Sequence, residues 1–167
     1  MKRLFFILIC FAFWTTSSAQ DSSSQAQESY YQILMDSSSD RIDYGCGWGG
    51  HYSENLWIIH DLIIYKRFDL ISKLLDSPTP STRYLAAVAL LRANKKKRIP
   101  LDSITDLKLK ALKNDPAKIS FCSGCTGHWH YSISHLLTTK ERSSMAIWTR
   151  HWIDDSLNNK SRFRQDW

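Results

Sequence analysis

Two thiols and two imidazoles fall within nine residues, at Cys122, Cys125, His128 and His130. A third thiol, Cys46, stands in Tyr44-Gly45-Cys46-Gly47-Trp48-Gly49-Gly50, a segment holding four of the chain's six glycines. Three chemistries compete for these groups. The first is a structural disulfide, because thiols pair in an oxidising compartment and three cysteines make one bridge with one thiol left over. A bridge from Cys46 to Cys122 or to Cys125 would close a loop of about 75 residues, contributing roughly 4 kcal/mol in the chain-entropy account. It would also tie the two glycine-rich segments together. Spacing alone does not choose the pairing among Cys46, Cys122 and Cys125.

The second chemistry is zinc binding. Cys122, Cys125, His128 and His130, with Cys46 or His51 as substitutes, supply the sulfur and nitrogen ligands that tetrahedral zinc takes. The C-x2-C half has familiar spacing, whereas the C-x2-H-x-H half is tighter than in zinc fingers. Extended backbone would set His128 and His130 on one side and Trp129 on the other. The third is a redox C-x-x-C, which needs its first thiol at a helix N-terminus after a strand. Thr126-Gly127 does not continue as a helix, which counts against it. Either of the last two would make the chain a small metal- or thiol-dependent enzyme centred on this cluster.

Other catalytic signatures are missing: the sequence has no G-x-S-x-G, no P-loop and no H-E-x-x-H. His60-Asp61 resembles the dyad of metal-dependent HD-type hydrolases, but no companion His and distant Asp stand at fitting positions. The basic run Lys95–Arg98 reads as the cationic end of a helix rather than a nucleic-acid patch. Of the tryptophans, Trp148 and Trp152 are expected in the core, as tryptophans at helical spacing usually are. Trp48, flanked by glycines, is expected at the surface, and with Trp129 it is the candidate for contacting a partner.

The elements that must hold these groups are mostly helical by pattern. Ser53 suits an N-cap, and Leu56, Ile59, His60 and Ile63 follow at helical spacing. A short helix near Phe68 to Leu75 ends at Asp76-Ser77-Pro78, since the residue before proline leaves the helical region. Thr79-Pro80 opens the strongest helix, with Thr79 at N-cap and Pro80 at N1, and small Ala86, Ala87 and Ala89 on its faces. Another helix runs from an Asp102 cap through Ile104, Leu107, Ala111 and Leu112 to Asp115-Pro116. Further helices are expected over Tyr131–Thr139 and, capped by Ser143 or Ser144, along Met145, Trp148, Trp152 and Ile153. The expected class is therefore all-α, an antiparallel helical array with Gly/Cys-rich loops.

The stretch Leu74-Leu75-Asp76-Ser77-Pro78-Thr79-Pro80, followed by Arg83 and the Ala/Leu-rich face to Leu90, resembles the joint of a HEAT repeat. The likeness covers about one repeat, residues 54–94, with Asp115 placed like Asp76 in a second, incomplete one. The resemblance implies a short helical scaffold for protein–protein contact.

Length and composition set the frame. The 167 residues are 43% hydrophobic and 23% charged, enough for one domain with a real core. Met1-Lys2-Arg3, the eleven apolar residues Leu4–Trp14, and small Ser17 and Ala19 make the three regions of a secretory signal peptide. Cys10 then leaves with the peptide, 148 residues remain, and the net charge falls from +6 to +4. The expected organisation is a signal peptide over 1–19, a flexible polar lead-in over 20–41, a helical domain over 42–157 and a polar tail over 158–167. The expected setting is bacterial, periplasmic or secreted, with no membrane span after cleavage and no nucleic acid. An exported scaffold that binds a protein partner is the functional expectation, with the small metal- or thiol-dependent enzyme as the alternative; zinc is the one cofactor the pattern admits.

Overall fold

A computed structural model describes residues 24–124, 127–138 and 144–159. The signal-peptide region, Cys125 and most of the C-terminal tail lie outside the described residues. The chain runs through helix α1 (24–36), strand β1 (Arg41–Cys46), helices α2 (Glu54–Ile64) and α3 (Phe68–Lys73), and a 3-10 turn (Leu74–Asp76). Helices α4 (Pro80–Lys95) and α5 (Ser103–Leu112), strands β2 (Lys118–Gly124) and β3 (Gly127–Ser132), and helices α6 (Ile133–Thr138) and α7 (Ser144–Leu157) follow.

Helix α4 is the centre. Ser81, Thr82, Tyr84, Leu85, Ala86, Ala87, Val88, Ala89, Leu90 and Ala93 are all buried, so the helix has almost no wet face. Its alanines let neighbours come close on several sides at once: α2, α3, α5, α6, α7 and β2 all touch it. Pro80 opens the helix, and Thr79 takes the N-cap position without a side-chain cap bond. The Thr79 hydroxyl instead donates to the Ser37 carbonyl, and Ser81 Oγ donates to the Ser39 carbonyl at 2.7 Å. The serine-rich stretch after α1 is thus laid along the start of α4 by hydrogen bonds. Within the expected lead-in, α1 puts Gln27 and Leu34 on the buried side seven residues apart, and Leu34 is 1% exposed.

The all-α expectation is wrong: the fold is mixed α/β, with a three-stranded mixed sheet in the order β1-β2-β3. β1 pairs parallel to β2, from Arg41 opposite Ser120 to Tyr44 opposite Ser123. β2 pairs antiparallel to β3, from Lys118 opposite Ser132 to Ser123 opposite Gly127. Parallel neighbours need a long crossover, and here residues 47–117, the whole α2–α5 array, provide it. The alternation is plain once the strands are known. Ile42, Tyr44, Ile119 and Phe121 are buried and join the core, where Phe121 meets Tyr84 edge-on at 6.2 Å. Arg41, Asp43, Ser120 and His130 occupy the other face. With so few strand residues, the period-2 signal was too short to stand out beside the helical one.

The outer edge of β1 is closed by the chain that follows it. Cys46 and His51 form an antiparallel bridge, Asp43 N–H donates to Ser53 Oγ at 3.1 Å, and Asn55 Nδ2 donates to the Arg41 carbonyl at 3.0 Å. Ser53 therefore sits at the α2 N-cap position but spends its hydroxyl on β1 and Asn55, not on the helix. Asp102 does cap α5, accepting from Thr105 N–H at 2.8 Å.

Candidate functional site

The outer face and C-terminal end of the sheet carry the chemistry-bearing residues. β1 bulges between Tyr44 and Cys46, with Gly45 at φ 68°, a left-handed conformation that favours glycine. The bulge aims Cys46 at Cys122, whose register partner is Asp43, and the two cysteines form a disulfide with Cα atoms 5.5 Å apart and a sequence separation of 76. Cys122 is 1% exposed. Arg41 lies along the bond: its Nε donates to Asp43 Oδ1 at 2.5 Å and its Nη2 reaches Cys46 Sγ at 2.9 Å.

Beyond Cys46 the chain makes a four-residue turn, Gly47-Trp48-Gly49-Gly50. Cys46 N–H donates to the His51 carbonyl at 2.8 Å, and His51 N–H donates back to the Cys46 carbonyl at 3.0 Å. Gly47 N–H crosses to the Gly124 carbonyl at 2.9 Å, linking this turn to the end of β2. Gly47 and Gly50 have φ of 71° and 63°, so glycine is needed on both sides of Trp48. Trp48 itself is 98% exposed. The expectation of a surface Trp48 matches its position here.

Among the described residues, the zinc candidates Cys122, His128 and His130 do not form a ligand group. The Cys122 sulfur is spent on Cys46, and a disulfide sulfur offers no thiolate to a metal. His128 is exposed on the face opposite to Trp129, and His130 is exposed with Nδ1 3.1 Å from Ser120 Oγ, its cross-strand neighbour. Cys125 lies outside the described residues. His51 belongs to the bridge at the base of the Trp48 turn. The sulfurs of Cys46 and Cys122 do lie with an Asp43 carboxylate oxygen inside 4.8 Å. With both sulfurs bonded and Asp43 held by Arg41, that grouping is a stapled ion pair, not a set of open ligands.

Other sequence candidates resolve into structure. Trp129 is half-buried, packed against the core on the inner side of β3. His60 Nδ1 is 2.8 Å from Ser156 Oγ, and its ring meets Trp57 and Trp152 at 6.0 and 6.2 Å, so His60 is part of an aromatic cluster. In the Lys95–Arg98 run, Lys96 pairs with Asp154 at 3.6 Å. No protein-family model, curated protein or solved structure significantly matches the chain.

One feature was missed in the sequence. Trp152 is buried as expected, but Trp148 is 41% exposed and lines a cleft of about 300 Å³ beside the sheet end. Trp148, His151, Trp152 and Asp155 form one stripe of α7 at i, i+3, i+4 and i+7, facing Tyr44, Tyr52 and Ser123. That stripe is the signal that could have found it. The core stripe of α7, through Met145, Thr149, Trp152 and Ser156, runs alongside and shares only Trp152 with it. Tyr44 is locked between β1 and α7, its hydroxyl donating to Thr149 Oγ1 at 2.7 Å. Burial pushes the Tyr44 phenol well above its ordinary pKa, neighbouring Tyr84 pushes it the same way, and the Thr149 bond pulls partly back.

Proposed function

We propose that the chain is an exported binding module that engages a protein partner through the disulfide-pinned Trp48 turn. The observation that carries this reading is the 98% exposure of Trp48 at the tip of a turn otherwise made of glycine. Leaving a large aromatic ring in water gains nothing for folding, and tryptophan is among the residues that most often anchor interfaces. The turn is held by a disulfide, a two-bond bridge to His51 and a cross-link to Gly124, so little conformational freedom is lost when it docks. His128 and His130 lie exposed on the same sheet and would form the rim of the interface.

Export is supported by the N-terminal pattern and by a disulfide, a bond that persists in oxidising compartments. No helix among the described residues is long and apolar enough to cross a membrane. The HEAT-like reading of residues 54–94 supplies the scaffold. It is supported by Arg83, which donates to the Ser77 and Pro78 carbonyls of its own joint and pairs with Asp115 of the next at 3.1 Å. A metal- or thiol-dependent enzyme centred on Cys122 would first have to open the bond to Cys46.

The test is affinity capture from the exported fraction, comparing wild type with Trp48→Ala and His128→Ala. Loss of a defined partner from Trp48→Ala, with the melting temperature unchanged, is the expected result. A partner retained in full by both variants would sink the reading.

A further inference from the structure

A second site, next to the Trp48 turn but not lined by Trp48, follows from the cleft on α7. We propose that this cleft binds a small alkylated organic cation, a quaternary or methylated ammonium group. Three observations point there. The walls are aromatic on several sides: Trp148 stands at 87° to Tyr44 with centroids 6.1 Å apart, and Trp152 at 66° to Tyr44 at 6.5 Å. Tyr52 stacks on Trp152 at 5.2 Å and 26°, extending the wall. Tyr44 and Trp152 are themselves buried, so the ring surface open to the cleft is that of Trp148, 41% exposed, with Tyr52 beside it. An aromatic lining of this kind is how rounded, positively charged heads are recognised. A sugar would ask for one flat platform, whereas Trp148 and Trp152 stand at steep angles to Tyr44.

The second observation is charge. Adjacent carboxylates on α7 are divided between two sides. Asp154 takes Arg92 and Lys96, whereas Asp155 faces the cleft and takes no cation among the described residues. A carboxylate at the rim of an aromatic corner supplies the counter-charge that a bound ammonium needs. The third is size. About 300 Å³ is at the lower end for ligand cavities, suited to a head group and not to an extended chain. The corner is also preorganised, because the Tyr44 hydroxyl is tied to Thr149 and Trp152 is 5% exposed. Ser123, on the sheet side, can donate its hydroxyl to an oxygen carried on the cation's short arm.

The test uses the oxidised, processed chain and three probes followed by calorimetry: choline, its neutral isostere 3,3-dimethylbutan-1-ol, and N-acetylglucosamine. Choline should bind saturably, and the isostere at least about tenfold more weakly, since only the charge distinguishes them. Asp155→Asn should weaken choline about three- to fivefold and Trp148→Ala about tenfold, while Trp48→Ala leaves it unchanged. Should Trp148→Ala melt early, Trp148→Phe and Asp155→Asn carry the comparison, because both keep the shape of the wall. Equal binding of choline and the isostere would overturn the proposal. So would saturable binding of the sugar in place of choline, indifference of choline to both α7 variants, or no saturation by choline up to about 50 mM.

Discussion

Removing the Cys46–Cys122 bond should cost this protein a large part of its stability while leaving its native secondary structure in place. The bond spans 76 residues, and the chain-entropy relation gives about 4.5 kcal/mol for a loop of that size at room temperature. A domain of this length has about 5–15 kcal/mol in all, so the loss is roughly 30% or more of the total. With a urea slope of about 2 kcal/mol/M, the midpoint should fall by about 2 M in the Cys46→Ala/Cys122→Ala double variant. Most of the effect acts on the unfolded chain, which the link shortens. The parallel β1–β2 pairing has its own hydrogen bonds, so far-UV circular dichroism in water should change little. Urea titrations of oxidised wild type, reduced wild type and the double variant make the comparison. Thiol labelling before reduction should mark only Cys125 in the processed chain. A midpoint shift below about 0.5 M, or a peptide map joining Cys46 to Cys125, would refute the reasoning.

Other outcomes follow from the packing. Leu34→Ala removes a buried side chain from α1 and should destabilise by about 2–4 kcal/mol, read as a fall in melting temperature; no change would mean α1 does not belong to the core. Burial pushes the Tyr84 phenol up to about 12 and Tyr44 well above its ordinary value. The folded state therefore holds these protons more tightly than the unfolded one, so stability is full below the ordinary phenol pKa and is lost as pH rises from about 10 towards 12. A phenolate absorbance titration should show two late tyrosines coupled to unfolding. All seven titrating together without unfolding would contradict the burial.

The helices were legible because their ends carry local chemistry. Thr79-Pro80 marks the start of α4, Asp76-Ser77-Pro78 the stop before it, and Asp102 a true cap. The sheet was not, because its signal is non-local. Ile42 and Tyr44 alternate over a few residues only, and their partner strand begins more than seventy residues later. At Cys122 the disulfide to Cys46 was expected, and the same distance left open only whether Cys122 or Cys125 would be its partner. Read along the chain, its companions are Cys125 and the two histidines. Read across the sheet, its neighbour is the end of β1, and the bulge at Gly45 turns Cys46 towards it. Trp148 shows a second kind of miss. Its spacing from Trp152 suggested one buried face, yet α7 carries two stripes that share Trp152, and Trp148 belongs to the one that opens on the cleft.

The central claim is that the pinned turn presents Trp48 for recognition. The most direct measurement places a photocrosslinking amino acid at position 48 of the exported protein and irradiates it in its own compartment. The account predicts a discrete crosslinked protein species that disappears when the Cys46–Cys122 bond is removed. Crosslinking that yields no discrete species, or one indifferent to the disulfide, would contradict it.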